Sequence, residues 1–298
     1  MENIQIVFLG TANAIPTKLR SHNSILIKWK NHNLLFDAGE GAQRQLRFAD
    51  ISPSKITKIF LTHWHADHSL GLSGLIYTLA MADYKGKLEI YGPKKTKEKI
   101  HALESAFGQF KIDYSVTELS SQTLDFGDFQ IQAEEMSHGI PCLAYSFKIK
   151  DKVRIKKDKF RKLKLKDPKL IKQLVSGKDI NYNGKTVKAK SISFIEKGKK
   201  ITLVLDTLIN QNIDKIAKDS DLLVCESTFS DKEKEKAKDY LHLTAKQAAE
   251  IAKKSKSKLL VLTHISQRYE HNTSEIEKEA KSIFKNTKIV KDLDKLEI

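Results

Sequence analysis

The sequence predicts an α/β chain in which two β-sheets pack back to back under outer helices, with one basic insert projecting from that body. Three observations lead there. Strand-like runs and amphipathic helices interleave in both halves of the 298 residues, the pattern of sheet layers covered by helices. Short apolar runs at 222–225 and 259–262 have the character of buried strands. Between residues 148 and 190 there are 17 Lys and Arg against 4 acids, a local charge of +13, while the rest of the chain carries only +3 of the total +16.

Alternating apolar positions place strands at 4–9, 24–28 and 34–37. Gly39-Glu40-Gly41 ends the third, and Leu46 and Phe48 mark a short helix. A strand at 58–61 runs into Thr62-His63-Trp64-His65-Ala66-Asp67-His68. Leu72, Leu75, Ile76 and Leu79 then recur at helical spacing. A short strand at 88–91 is closed by Gly92-Pro93, and Ile100, Leu103 and Phe107 share one face of the next helix. Strands at 113–118, 129–134 and 143–149 complete the first half. The insert has apolar residues of its own, among them Phe160, Leu163, Leu165, Leu170 and Leu174. They predict a partly helical projection in place of disorder, with turns at Gly177, Asn183 and Gly184. Strands return at 191–195, 201–205, 222–225 and 259–262. Helices at 244–254 and 274–284 flank the last of these, with Thr244 and Ser274 placed to cap them.

Hydrophobic content of 40% suffices for a sizeable core. No segment approaches the ~20 apolar residues of a membrane span. The first ten residues read as a strand and not as a signal peptide. The two cysteines, Cys142 and Cys225, form no CxxC motif, so a reducing cytoplasm is the expected setting. The charged insert has the composition of a polyanion-binding arm; a solvated lysine-rich loop is the plainer alternative.

The stretch 62–68 is where chemistry concentrates. On an extended chain side chains alternate, so His63 and His65 are expected to point the same way. The turn after them brings Asp67 and His68 to a second point nearby. Neutral imidazole with carboxylate suits zinc and its first-row neighbours. A polar turn that merely happens to be histidine-rich would not place four donors in register. More polar residues close apolar runs: His138, Asp206 and His264. A lone strand-end histidine is ordinarily a hydrogen-bonded structural residue; the joint pattern is what points to metal. His22, His32, His101 and His271 lack partners at a meaningful spacing and read as surface residues. Cys142 reads as a small packed residue.

Phe8-Leu9-Gly10-Thr11 with Pro16-Thr17 and Arg20, then Asp37-Ala38-Gly39-Glu40-Gly41 with Gln43, open a longer series. The histidine cluster, His138, Asp206-Thr207 and Thr263-His264-Ile265-Ser266-Gln267-Arg268-Tyr269 continue it. In this order the chain resembles the tRNase Z (RNase Z) family of the metallo-β-lactamase superfamily, over nearly its whole length. The last motif and the insert are what separate that family from the superfamily at large. The resemblance implies a four-layer αββα sandwich, the metallo-β-lactamase fold, across residues 1–298, with residues 150–190 as an inserted tRNA-binding arm. It implies two zinc ions per subunit, with manganese or another divalent ion as an alternative. One ion would be held by His63, His65 and His138, the other by Asp67, His68 and His264, with Asp206 bridging. Glu226, in Cys225-Glu226-Ser227-Thr228, and His242, in His242-Leu243-Thr244, match the family's acid–base pair. The implied reaction removes the 3′ trailer from precursor tRNA after the discriminator nucleotide. It leaves a 3′-hydroxyl on the tRNA and a 5′-phosphate on the trailer. A cytoplasmic homodimer is implied, the arm of one subunit serving its partner's active site. The chain departs from the family pattern at Leu205, where Gly is usual, at Ala144, and at the arm tip, where Lys166-Asp167-Pro168-Lys169-Leu170 replaces a Gly-Pro-rich turn.

These residues suit phosphodiester hydrolysis. Paired cations lower the pKa of water toward ~7, and Asp67 can orient that water. His242, oriented by Glu226, is the candidate general acid, and Arg268 a bidentate phosphate ligand. Two rivals share parts of this pattern. A small-molecule hydrolase or cyclic-nucleotide phosphodiesterase on the same scaffold leaves the +13 insert and the Glu226/His242 pair without a role. A nucleic-acid-binding protein with structural metal would be expected to use cysteine-rich, closed sites.

Overall fold

The structure is a computed structural model and describes residues 3–298. β1 (Gln5–Gly10), β2 (Ser24–Trp29) and β3 (His32–Phe36) form an antiparallel meander. α1 (Ala42–Phe48) leads to β4 (Lys58–Phe60), and α2 (Ala66–Ser69) with α3 (Gly71–Met81) leads to β5 (Lys87–Pro93). α4 (Thr96–Phe107) leads to β6 (Asp113–Leu119), and β3 to β6 pair in parallel. β7 (Gln122–Asp125), β8 (Phe129–Glu135) and β9 (Leu143–Ile149) begin the second sheet, antiparallel to one another.

The insert follows as β10 (Lys152–Ile155), α5 (Lys157–Leu163), α6 (Pro168–Val175), β11 (Ile180–Tyr182), β12 (Lys185–Val187), α7 (Ala189–Ile192) and β13 (Ser193–Glu196). The body resumes with β14 (Lys200–Val204), α8 (Gln211–Ala217), β15 (Leu222–Glu226), α9 (Lys234–Asp239) and α10 (Ala245–Lys254). β16 (Leu260–Thr263), α11 (Ser274–Ile283) and β17 (Thr287–Ile289) follow, and β14 to β17 run parallel. β18 (Lys295–Glu297) returns to the first sheet and pairs with β1.

The two seven-stranded sheets face each other across one core. Ile6, Phe8, Ile25, Ile27 and Phe36 from the first sheet meet Phe129, Ile131, Tyr145, Phe147 and Leu203 from the second. The alternate positions Val7, Leu9, Leu26 and Leu35 turn outward and pack on Leu46 of α1 and on Leu72, Leu75 and Leu79 of α3. On the far side Val204, Leu223, Cys225 and Leu262 pack on Ile213 of α8, Ala248 and Ile251 of α10 and Ile276 of α11. Side chains of a strand alternate faces, so strands buried on both sides produce four layers: helix, sheet, sheet, helix. Among the described residues no helix is long and apolar enough to cross a membrane.

The insert stands on a neck of two strands, β10 paired antiparallel with β13. Beyond it lies a separate small core of Leu165, Leu174, Ile180, Ala189 and Ile192. Asp167 caps α6 through its side chain, Pro168 occupies the first turn, and Asn183-Gly184 turns the β11–β12 hairpin. At the foot of the neck Gly198 is required by crowding: a Cβ there would lie 1.8 Å from the Ile149 carbonyl oxygen.

Several expectations need correction. The strand expected at 191–195 is α7 followed by β13. The strand before the histidine cluster ends at Phe60, so His63 and His65 lie beyond it; His65 keeps extended backbone (φ −69, ψ 155), and both imidazoles face one donor set. α11 is preceded by Thr273, and the backbone N–H of Ser274 donates to the Asn272 side chain in place of Ser274 capping the helix. His22 is buried, 7% exposed, and not a surface residue.

Candidate metal centre

Parallel strands present the site at their carboxyl ends, where open α/β sheets place their ligands. Asp37 follows β3, the 62–68 segment follows β4, Asp206 follows β14, Glu226 ends β15 and His264 follows β16. His138 comes from the connection between β8 and β9. The two sheets are tied together at this rim: Leu143 N–H donates to the Thr62 carbonyl (2.9 Å), and Tyr145 O–H donates to that of Leu61 (2.7 Å).

All seven residues expected as ligands come together there, in two sets that share Asp206. The donor atoms of His63, His65, His138 and Asp206 lie within 4.8 Å of one another, as do those of Asp67, His68, His264 and Asp206. Asp206 divides its oxygens between the sets. Oδ2 lies 3.7 Å from His63 Nε2 and 3.5 Å from His138 Nε2. Oδ1 lies 3.3 Å from His68 Nε2 and 3.2 Å from His264 Nε2. His65 faces the first set with Nδ1, 3.0 Å from His63 Nε2 and 3.1 Å from His138 Nε2. Asp67 Oδ2 closes the second, 3.4 Å from His68 Nε2 and 3.3 Å from His264 Nε2.

Hydrogen bonds behind the ligands decide which imidazole nitrogens carry protons. His138 Nδ1–H donates to the Leu241 carbonyl at 3.0 Å, which leaves Nε2 as a bare lone pair. Thr62 gives its only hydroxyl proton to the Asp37 carboxylate (2.9 Å) and so must accept from His63 Nδ1–H (2.9 Å). His68 Nδ1–H donates directly to Asp37 Oδ2 at 2.6 Å. On the other side Thr228 donates to Glu226 Oε2 (2.7 Å) and accepts from His264 Nδ1–H (2.9 Å). The consequence is that His68 Nε2 and His264 Nε2 turn lone pairs toward each other across 3.2 Å. Asp206 Oδ1 is buried between them without a hydrogen-bond donor. Bare nitrogens and a carboxylate oxygen packed this closely repel unless a cation lies among them. Their spacing is that of donors around a tetrahedral ion with bonds of ~2.0–2.1 Å. The residues present therefore fit a pair of divalent cations.

Charge in the site points the same way. Burial works against the ionised form of Asp206, but His264, His68 and His242 outweigh it and hold the carboxyl well below its ordinary range. Burial also opposes ionisation of Asp67, and His68 and His264 overcome it. His68 is desolvated, yet Asp206, Asp37 and Asp67 hold its pKa well above the usual value. Burial drives His63 the opposite way. The cluster as a whole favours positive charge at its centre.

Glu226 and His242 sit beside this cluster. His242 Nδ1–H donates to Glu226 Oε2 at 2.9 Å, and the fully buried Glu226 also accepts from the Thr207 backbone N–H at 2.7 Å. Burial would lower the pKa of His242, but the carboxylates of Glu226 and Asp206 push it up to about 9. Leu241, before it, adopts φ 60, a conformation rare for a bulky residue and typical of constrained sites. That kink turns the Leu241 carbonyl toward His138 while His242 faces Glu226.

Arg268 stands apart from the ligands. Its guanidinium lies over the Phe229 ring, 5.5 Å from the centroid, with Nε 3.7 Å from Glu233, and its side chain is 43% exposed. Sequence reasoning missed the roles of Asp37, Thr62 and Thr228 as supports. Asp37 carried a usable signal: it opens an Asp-x-Gly turn whose Gly39 has no room for a Cβ, which would lie 2.5 Å from the Asp67 carbonyl oxygen. Cys142 is buried with its thiol 3.4 Å from the Asp206 carbonyl, and desolvation raises its pKa well above the ordinary value.

Comparison with known proteins adds the family. A protein-family profile described as Anti-Pycsar protein Apyc1 matches residues 4–182, which stop short of Asp206, Glu226, His242 and His264. Ribonuclease Z of Nanoarchaeum equitans is 42% identical over 273 residues, covering 91% of this chain and 86% of its own. Ribonuclease Z of Protochlamydia amoebophila is 36% identical, covering 97% and 94%. The crystal structure of human tRNase Z, short form, superposes with a TM-score of 0.70 at 25% identity, covering 98% of each chain. The metallo-beta-lactamase fold protein YhfI from Bacillus subtilis, at 18% identity, shares the fold with a TM-score of 0.74 over the whole of both chains. With such identity extending over nearly its full length, including the segments that carry Asp206, Glu226, His242 and His264, the chain belongs to the ribonuclease Z family.

Proposed function

We propose that this protein is a metal-dependent endoribonuclease that hydrolyses the 3′ trailer from precursor tRNA, leaving a 3′-hydroxyl on the tRNA and a 5′-phosphate on the trailer. One observation carries the reading: two donor sets converge on the split carboxylate of Asp206, with the His242–Glu226 pair beside them. His63, His65 and His138 would hold one ion, and Asp67, His68 and His264 the other. The nitrogen- and oxygen-rich set favours zinc, with manganese as the alternative. When bound, such a pair of ions activates water and neutralises charge on the phosphate.

The chain's own residues do the rest. Asp67 orients the attacking water through its carboxylate. Water oxygen bonds to phosphorus and releases one proton to solvent, the bond from phosphorus to the tRNA O3′ breaks, and His242 Nε2–H delivers the proton that O3′ needs to leave. Glu226 accepts from Nδ1–H and steadies the protonated ring. Arg268, exposed at the rim, takes a non-bridging phosphate oxygen.

The insert serves as the arm that grips tRNA away from the cut. β9 runs from the His138 connection to the neck, and β14 runs from the neck to Asp206, so neck and metal centre occupy opposite ends of these strands. Five residues of β14 separate them by roughly 17 Å. An arm leaving from the far end favours a homodimer in which each arm serves the partner's site, in the cytoplasm where pre-tRNA is made available. The rival reading, a small-phosphodiester hydrolase, leaves this arm without work. The deciding experiment incubates purified protein with a 3′-extended pre-tRNA, with and without chelator, and maps both fragment ends. Cleavage that survives chelation, or a 3′-phosphate on the tRNA, would overturn the reading.

A further inference from the structure

The arm carries more than charge. On its flank is an open cleft of about 650 Å³ whose walls include Lys162, Leu163, Tyr182, Lys185, Val187 and Lys188. Leu163, Tyr182 and Val187 each pack against the arm's small core, and they form the apolar part of the cleft as well. The Tyr182 hydroxyl donates to the Lys164 carbonyl at 3.3 Å, which fixes the phenol ring. No carboxylate lines the cleft, and Lys162, Lys185 and Lys188 form no ion pair among the described residues. The contrast with the neck is sharp: there Arg154 pairs with Glu196 and Lys197 with Asp151.

We propose that this cleft binds one unpaired nucleotide of an RNA chain, its base against Tyr182 and the neighbouring aliphatic side chains and its phosphates on Lys162, Lys185 and Lys188. The charged groups of the cleft are all cations, with Asn183, Thr186 and Ser191 as its neutral polar lining, and together with the apolar and aromatic side chains they match the two halves of a nucleotide. Bases inside a duplex are stacked away from such a surface; only a splayed-out base can reach an aromatic ring. Backbone contact alone would require the lysines and no apolar surface. The surrounding arm extends the same charge along Lys159, Lys164, Lys166 and Lys169, which favours a polymer over a free mononucleotide. The inference rests on the reading of the arm as an RNA-binding element and adds what it reads: a loop or bulge base in addition to backbone shape.

The test uses the full-length chain and measures binding, not cleavage, by fluorescence anisotropy. The probes are a labelled RNA stem with an unpaired loop, the same stem closed as a blunt duplex, and free AMP and UMP as competitors. Tyr182→Ala should weaken loop RNA by roughly 5- to 100-fold and leave the duplex within twofold. Tyr182→Phe, which keeps the ring, should stay within twofold for both. Millimolar nucleotide should displace the loop RNA no better than an equal concentration of inorganic phosphate. No loss for loop RNA in Tyr182→Ala, or equal losses for loop and duplex in both Tyr182→Ala and Lys185→Glu, would overturn the proposal. So would selective displacement by AMP or UMP, which would make the cleft a mononucleotide site. If Tyr182→Ala loosens the arm, both RNAs weaken together while Tyr182→Phe is silent; Lys185→Glu then decides, since it must weaken loop RNA more than duplex. A protein that binds loop RNA through Tyr182 but cleaves no pre-tRNA would defeat the proposed function and keep this inference; the reverse result would defeat this inference alone.

Discussion

Asp37 and Glu226 are counterparts on opposite sheets of the molecule. Each is a fully buried carboxylate at the carboxyl end of a strand, and each accepts from one threonine hydroxyl and one imidazole Nδ1–H. Each threonine in turn accepts from a second imidazole: Thr62 from His63, Thr228 from His264. Two carboxylates thus set the tautomers of four histidines, and Glu226 supports a candidate metal ligand as well as the candidate acid.

Asp37→Asn should reveal the first of these roles. Without the negative charge His68 no longer keeps Nδ1 protonated and Nε2 bare. Affinity for one of two ions should fall about 10- to 100-fold, as outer supports of metal ligands typically show. Chelator-competition titration with elemental analysis would read this as loss of one ion before the other. Unchanged stoichiometry across the titration would remove Asp37 from the metal site.

Glu226→Gln should move the alkaline limb of the pH–rate profile. The donor is protonated His242, whose pKa is pushed up to about 9, so activity that needs it persists below that value and is lost as pH rises through it. Removing the Glu226 charge takes away the largest raising influence, and the limb should shift to lower pH. Comparing the two proteins at equal metal content cancels the field of the ions. His242→Ala should lower kcat by about 10²- to 10⁴-fold, the usual contribution of a general acid, with both ions still bound.

Metal removal should destabilise the fold. An ion that binds only the native state at 100 times its Kd contributes about 2.7 kcal/mol. For a chain of 298 residues that is roughly 4 °C in Tm per ion. Differential scanning calorimetry before and after exhaustive chelation, and again after zinc is restored, would show a reversible drop. Equal melting points would mean that the site holds no ion in the native protein.

Deleting residues 156–192 and joining the neck strands through a short Gly-Ser turn should separate grip from cutting. The arm has its own core, so the body should melt within a few degrees of wild type. Hydrolysis of a small phosphodiester should persist. Binding to pre-tRNA should weaken and lose much of its salt dependence, because the slope of log K against log salt counts released phosphate counterions. A deletion protein with full pre-tRNA affinity would leave the +13 segment without a nucleic-acid role.

Much of the body was legible because its strands are buried on both faces and read as unbroken apolar runs, as at Leu222–Glu226 and Leu260–Thr263. Thr244 was legible as a cap, and it forms a full capping box with Gln247. Short polar edge strands were not: β7 reads Gln-Thr-Leu-Asp and β18 Lys-Leu-Glu, and pairing with a neighbour, not side-chain pattern, makes them strands. α8 was overlooked although Asn210 caps it with two backbone hydrogen bonds, a signal present in the sequence. The candidate ligands could be picked out one by one at strand ends. Their supports could not, since Thr62 to Asp37 and Thr228 to His264 are contacts across strands that no local pattern encodes. His22 was misread for the same reason: its burial comes from the loop around Ala14 and the turn at Gly39.

The two-strand neck has a mechanical side. The arm is joined covalently to the body only through β9 and β14, whose far ends lead to His138 and Asp206. Any torque that a tethered molecule exerts on the arm enters the body along those two stiff rods. A lever anchored this way transmits the pull of its cargo to the residues nearest the break.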